Sequence, residues 1–243
     1  MYNKEEELEV MENVYNDLDS ELKKIYEEQK NDKEELLKEL ALLLLFYSIV
    51  NNVLKVDKAR SIVVSKRTVI KITDFITKES NNQIKITSDL INNTKLRLES
   101  FYKYKVKDVE NVIKRTIEGK TYDERIWKNN KKISEFLKKQ AIDFINGSIT
   151  IEQMKDNVEK AFKSSKYNAE RLVEDTISRV RADIFERYCK ENNIKKVRRI
   201  ATLDGSTCTR CKEEDGEVYK FNDPNRPYLP EHVKCRCYYT VEE

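Results

Sequence analysis

LEVMENVYNDLDSELKKI, residues 8–25, sets the character of the chain. Its apolar positions Leu8, Met11, Tyr15, Leu18, Leu22 and Ile25 recur at steps of 3, 4, 3, 4 and 3, which is the seam of an amphipathic or coiled-coil helix. A second seam follows at Leu36, Leu40, Leu43, Tyr47, Val50 and Leu54. Gln29 and Asp32 interrupt the pattern between the two, so a joint is predicted at residues 30–32. Working outward, only Gly119 and Gly147 occur before residue 200, and Pro224, Pro227 and Pro230 all come after it. A stretch with so few turn breakers is predicted to be mostly helix.

The apolar run Leu40–Val50 is too short to cross a bilayer, which takes about 20 residues, and Asn51-Asn52 end it. It reads as the core of a helical hairpin or as a surface for a partner. Residues 60–80 are rich in β-branched side chains and fit strand or helix equally. Helical character returns over 83–118, where Lys95, Arg97, Lys103, Lys105, Lys107, Lys114 and Arg115 are interleaved with Phe101, Tyr102 and Tyr104. Such a mixture can bind nucleic acid; the plainer reading is a solvated helix face whose tyrosines cover the core side. Further helices are predicted at 122–146, 150–163 and 167–191. Asn146-Gly147 would cap the first at its C-terminus. Thr150 with Gln153 would form a capping box for the second. In the third, Ala169, Leu172, Val173, Ile177, Val180, Ile184, Phe185 and Tyr188 make one apolar stripe, with Cys189 at its edge as a small core residue.

Charge excludes less than it suggests. Lys+Arg 47 against Asp+Glu 44 leaves a net charge of +3, so no whole-chain basic field argues for nucleic acid. Charged residues are 37% of the chain, well above the usual quarter or so, as expected of long exposed helices. The first forty residues are acidic, whereas 55–140 are rich in Lys and Arg.

The chemistry is concentrated near the C-terminus. Cys208, Cys211, His232, Cys235 and Cys237, in the run TCTRC…PEHVKCRC, comprise the sole histidine and all but one of the cysteines. Cys208-x₂-Cys211 and His232-x₂-Cys235 have the spacing of two metal knuckles, in which backbone amides point at sulfur while both side chains reach one ion. Tetrahedral Zn²⁺ takes four N/S ligands of this kind. The expected set is Cys208, Cys211, His232 and Cys235, with Cys237 able to replace Cys235 or His232. Disulfides, or unligated thiols in a tightly packed turn, are the alternatives. The opening MYNKEEELEVMENV is acidic where a secretory signal would be basic and then apolar, so a reducing compartment and free thiols are expected. Val197–Thr202, Glu217–Phe221 and Arg236–Val241 read as strands, and Asp215-Gly216 as a hairpin turn. So small a sheet would need the Zn²⁺ staple, and Asp204 and Arg236 could brace it as a charge pair.

A catalytic zinc needs an open position and a nearby base, a role for which Asp204 or Glu231 could be drawn. However, the H-x-E of zinc deaminases, a Ser-His-Asp set and phosphate-cradling glycine loops are all missing from the sequence. A non-enzymatic protein is expected. The fold class read from the residues is mainly α. An elongated helical region spans 1–118, and 119–243 closes with a Cys/His module of short antiparallel strands at 195–243.

Residues 122–243 resemble the phage head morphogenesis domain found in minor capsid proteins of tailed phages. The likeness rests on Tyr122 and Trp127 near the start of a helix, the turn Asn146-Gly147-Ser148-Ile149-Thr150, and the Ala-, Arg- and acid-rich helix Ala169–Tyr188. It is most specific in the closing segment: Asp204-Gly205-Ser206-Thr207-Cys208-Thr209-Arg210-Cys211, Asp215-Gly216, the loop Pro227–Pro230, and His232-Val233-Lys234-Cys235-Arg236-Cys237. Two positions depart from the pattern. Val233 follows the histidine where Pro is frequent, and Glu174-Asp175 stands where Thr-Glu is favoured; neither is a proposed ligand. The resemblance implies a structural virion component that binds the portal protein during procapsid assembly, with scaffold or major capsid protein as further partners and an influence on DNA packaging or ejection. It implies no membrane association. The N-terminal seams would serve self-association or a portal contact, and phage DNA is a further expected contact. The rival reading is a nucleic-acid-binding zinc module on a helical stalk.

Overall fold

The computed structural model describes residues 4–107, 119–202 and 207–242. The chain is mainly helical with a small C-terminal set of antiparallel strands. Helix α1 spans Lys4–Phe46, followed by strands β1 (Ser48–Val50) and β2 (Val53–Lys55), and helix α2 spans Lys58–Tyr102. Helix α3 covers Tyr122–Ile145 and α4 covers Ile151–Glu191. Strand β3 (Lys196–Ile200), the short helix α5 (Thr209–Glu213), β4 (Val218–Lys220) and β5 (Tyr238–Glu242) complete the order. Two compact units divide these residues, one formed by 1–21, 86–122 and 171–243, the other by 22–85 and 123–170. Each therefore draws on both segments delimited in the sequence.

In the second unit, α1 runs unbroken through residues 30–32, where a joint was expected. The apolar seam lapses there because the layer is polar and buried. Gln29 donates to Glu79 (2.6 Å) and to Ser165 (3.1 Å), and Ser165 also donates to Glu79 (2.6 Å). Above this layer, Leu36, Leu40, Leu54, Ile72, Ile76, Leu137, Phe144, Met154 and Val158 pack into one core. The second seam does not continue as helix past Phe46. Asn51 and Asn52 adopt positive φ (51° and 64°), the conformation a two-residue hairpin turn requires, and pair β1 with β2 so that Ile49 faces Leu54. Residues 60–80 resolve as helix, the start of α2.

The turn after α3 forms as expected. Gly147 (φ 72°) donates to the Phe144 carbonyl (3.0 Å) and Ser148 to that of Asp143 (2.8 Å), the paired bonds of a Schellman motif. Thr150 and Gln153 then cap α4 reciprocally, at 2.8 and 3.2 Å. Helix α4 continues to Glu191 without the interruption expected near 164–166. Helix α2 stops at Tyr102, where Lys103 takes φ 49°; the rest of the helix expected up to residue 118 lies largely outside the described residues.

In the first unit, Met11, Val14, Tyr15 and Leu18 of α1 are buried, as are Leu90, Ile91, Leu98 and Tyr102 of α2 and Leu172, Val173, Ile177, Ile184, Phe185 and Cys189 of α4. The N-terminal seam is thus covered within the chain, except for Leu8, which is 37% exposed. The sheet has the order β4-β3-β5, antiparallel throughout, with Val197 opposite Tyr219 on one side and Val241 on the other. Tyr238, Tyr239, Thr240 and Val241 are all buried. The sheet is therefore integrated with helices rather than standing alone on a metal staple: the Arg181 guanidinium of α4 lies 5.1 Å from the centre of the Tyr238 ring. The Asp215-Gly216 turn also differs from its expected role. It joins α5 to β4, while β4 pairs with β3.

Candidate metal centre

Cys208 stands at the N-terminus of α5, where its sulfur accepts a hydrogen bond from the Cys211 amide (3.4 Å). This is the amide-to-sulfur geometry expected of a knuckle. Across from it, the chain turns through His232 to Cys235. Cys235 N–H donates to the His232 carbonyl (3.2 Å), and Lys234 takes φ 62° to close the turn. His232 Nε2 lies 3.3 Å from both Cys208 Sγ and Cys211 Sγ, and Cys211 Sγ lies 3.9 Å from Cys235 Sγ. Metal–sulfur bonds of about 2.3 Å and metal–nitrogen bonds of about 2.0 Å place tetrahedral neighbours about 3.8 Å (S···S) and 3.5 Å (S···N) apart. The three edges Cys208–His232, Cys211–His232 and Cys211–Cys235 match to within a few tenths of an ångström, while Cys235 lies outside the close group of Cys208, Cys211 and His232. The cavity among these side chains measures about 10 Å³, room for a single water-sized sphere. The Cys/His cluster can hold a metal ion.

All five C-terminal candidates meet here. Cys208, Cys211 and His232 form one close group, and Cys211, Cys235 and Cys237 a second, with Cys211 shared. Cys211, Cys235 and Cys237 are buried while His232 is exposed, which leaves the centre open to solvent on the histidine side. The other ring nitrogen, Nδ1, lies 2.9 Å from the Val233 carbonyl. A proton on Nδ1 donated to that carbonyl leaves Nε2 as the free lone pair aimed at the sulfurs.

The thiols are electrostatically unequal. The backbone amide of Cys211 lowers the Cys208 thiol below the ordinary range, and burial pushes Cys211 up to about 11. A hydrogen bond from Cys237 helps bring Cys235 down to about 5. The same bond and burial drive Cys237 well above the ordinary thiol range.

A carboxylate–guanidinium frame, which sequence reasoning missed, surrounds the knuckles. Arg199 of β3 is fully buried, pairs with Glu214 and with Glu231 (2.7 Å), and comes within 3.5 Å of Cys211 Sγ. Arg210, between the two cysteines of the first knuckle, reaches Glu231 (2.6 Å) and Glu214 (3.0 Å). Glu231 is therefore engaged by two arginines. The expected brace between Asp204 and Arg236 involves a residue outside the described ones; Arg236 itself pairs with Asp19 (2.6 Å) and Glu174 (2.6 Å). Its carbonyl accepts from Tyr15 (3.0 Å) and Thr202 (3.1 Å), and the Cys237 carbonyl accepts from the buried Arg181 (2.7 Å). One signal for Arg181 was present in the sequence: it sits at i+4 from Ile177 and i−4 from Phe185, on the apolar stripe itself.

The basic stretch between Lys95 and Lys139 is partly neutralised within the chain. Arg97 pairs with Asp17 (2.7 Å), Lys95 with Glu99 (3.8 Å) and Lys131 with Glu135 (4.0 Å). No helix among the described residues is long and apolar enough to cross a membrane. No curated protein and no solved structure matches the chain significantly. A family model does match, and its span contains every residue of the Cys/His cluster: residues 135–240 are similar to the family described as Phage Mu protein F like protein, a family of the phage head morphogenesis type.

Proposed function

We propose that the chain is a structural minor head protein of a tailed phage or prophage-like element and that its C-terminal Cys/His cluster holds a structural Zn²⁺. The observation that carries the reading is the family match over residues 135–240, which takes in both knuckles, β3, β4 and the start of β5. The proposed zinc ligands are Cys208, Cys211, His232 and Cys235: Cys208, Cys211 and His232 form one close group, and Cys235, 3.9 Å from Cys211 Sγ, would draw in toward it as the fourth ligand. Cys237 stands beside them as a hydrogen-bond donor to Cys235. The ion ties α5 to the loop before β5, so its role is to fix the far end of the sheet rather than to activate water.

In this reading the protein joins the portal vertex during procapsid assembly, in the host cytoplasm, and remains in the virion. Scaffold or major capsid protein are further partners, and DNA packaging or ejection is the step it affects. The nucleic-acid alternative is weakened by the internal pairing of Lys95, Arg97 and Lys131. Quantitative mass spectrometry of purified particles tests the proposal by counting this chain against the portal subunit. A reproducible ratio of a few copies per portal ring is the expected result. Complete absence from both procapsids and full particles would overturn it.

A further inference from the structure

In the second unit, the last turns of α1, strand β1 and the first turns of α2 show a cluster of large apolar side chains to solvent. Leu45 is 77% exposed, Phe46 74%, Ile62 69% and Val63 68%, with Leu42, Ile49 and Val50 near half. Single exposed apolar residues are ordinary on a protein surface, but this many over the end of α1, β1 and the start of α2 point to an interaction site. α1, the residue that follows it and α2 border an open groove of about 360 Å³, to which Leu42, Leu43, Phe46 and Tyr47 contribute from one side and Val64 and Arg67 from the other. Leu36, almost fully buried, also lines it, so the apolar surface is recessed between helices.

Charge selects the occupant. Residues 55–71 hold six basic side chains against one acidic. Arg60 is matched by Asp57 and Lys71 by Glu39. Lys55, Lys58, Lys66 and Arg67 have no carboxylate partner among the described residues. Arg67 lines the groove itself, beside the Glu39–Lys71 pair, and a second copy docked symmetrically would set this basic stretch against itself. Of the exposed apolar side chains Leu42 and Phe46 line the groove, a recess that takes a row of side chains rather than a flat lipid face. An amphipathic helix lays a stripe at i, i+3, i+4 and i+7 into such a trough, and acidic residues beside that stripe would meet the rim. We propose that this groove docks an acidic amphipathic helix from a partner protein. The inference rests on the groove alone and stands whether or not the chain is a phage head protein.

The test uses the full chain, loaded with metal, and two fluorescein-labelled amphipathic peptides. One has Leu at i, i+3, i+4 and i+7 with Glu on the flanks; the other has Lys in place of every Glu. Fluorescence anisotropy should show saturable binding of the Glu peptide, at least tenfold tighter than the Lys peptide. Arg67→Glu should reverse that order, and Phe46→Ser should weaken both, with far-UV circular dichroism unchanged because both residues are exposed. Absence of saturable binding, equal affinity for the two peptides, or an Arg67→Glu variant that binds as wild type would overturn the proposal. Co-sedimentation with phosphatidylglycerol vesicles that Phe46→Ser abolishes would replace the partner helix with a lipid surface. Dimerisation in light scattering that Phe46→Ser abolishes would replace it with a second copy.

Discussion

His232 can present Nε2 to two sulfurs because Nδ1 is committed to the Val233 carbonyl, and similar logic separates Cys235 from Cys237. Both cysteines are buried within reach of Cys211, but the proposed fourth ligand is Cys235. Cys235→Ser should therefore lose zinc on gel filtration, whereas Cys237→Ser should retain a full equivalent; elemental analysis of the two variants distinguishes them. A second residue-scale prediction concerns Glu7. It is fully buried, accepts a hydrogen bond from Tyr102, and its other oxygen has no partner among the described residues. Burial pushes its carboxyl up to about 8. A folded-state value raised above the unfolded one contributes stability that is fully present below about pH 4.3 and is lost as pH rises through the folded value. Glu7→Gln keeps an acceptor for Tyr102 and removes the charge. Its unfolding free energy should match wild type near pH 4.5 and exceed it increasingly up to about pH 8.5, by an amount on the order of a few kcal/mol; a constant difference across that range in chemical denaturation would contradict this. That the five Cys/His positions would converge was legible in their paired spacing within one short segment. Arg199 and Glu231 were not, because a charged residue in a strand or loop reads as solvated until its buried partner is known.

At the scale of the elements, local rules read best where backbone geometry leaves few choices. Asn146-Gly147 and the Thr150/Gln153 box could be read directly, since a left-handed residue and a reciprocal cap each demand particular side chains. Gly147 is constrained twice: its φ is 72°, and an added Cβ would stand 2.9 Å from the Leu54 carbonyl oxygen. Gly147→Ala should cost roughly 2 kcal/mol or more in chemical denaturation, since the left-handed conformation alone costs about 1–2 kcal/mol for a residue bearing Cβ. Loss below about 0.5 kcal/mol would mean the turn relaxes freely. The expected joint at residues 30–32 failed for the converse reason. A polar layer inside a helical core interrupts hydrophobic periodicity as a loop would, and only the positions of Glu79 and Ser165, far away in sequence, show that Gln29 is satisfied rather than solvated. Val50 and Leu54 continued the seam numerically, yet two asparagines able to take positive φ decided for a hairpin.

Across the whole molecule, helical character followed from the scarcity of glycine and proline, and the strand-bearing C-terminus from where the prolines gather. The division into units could not be read that way, because each unit combines segments remote in sequence. Nor could the setting of the sheet, whose β5 is buried along nearly its whole length against helical side chains. That setting limits what a metal must do. The helices already cover the sheet, so zinc should stabilise the two knuckles and the loop before β5 rather than the fold at large. The measurement that bears most directly on this account is the zinc content of the full chain purified under reducing conditions, with X-ray absorption reading the ligands. One zinc per chain in a shell of three sulfurs and one nitrogen is the predicted result. A chain that binds well under one equivalent while its C-terminal strands remain protected from hydrogen exchange would contradict it.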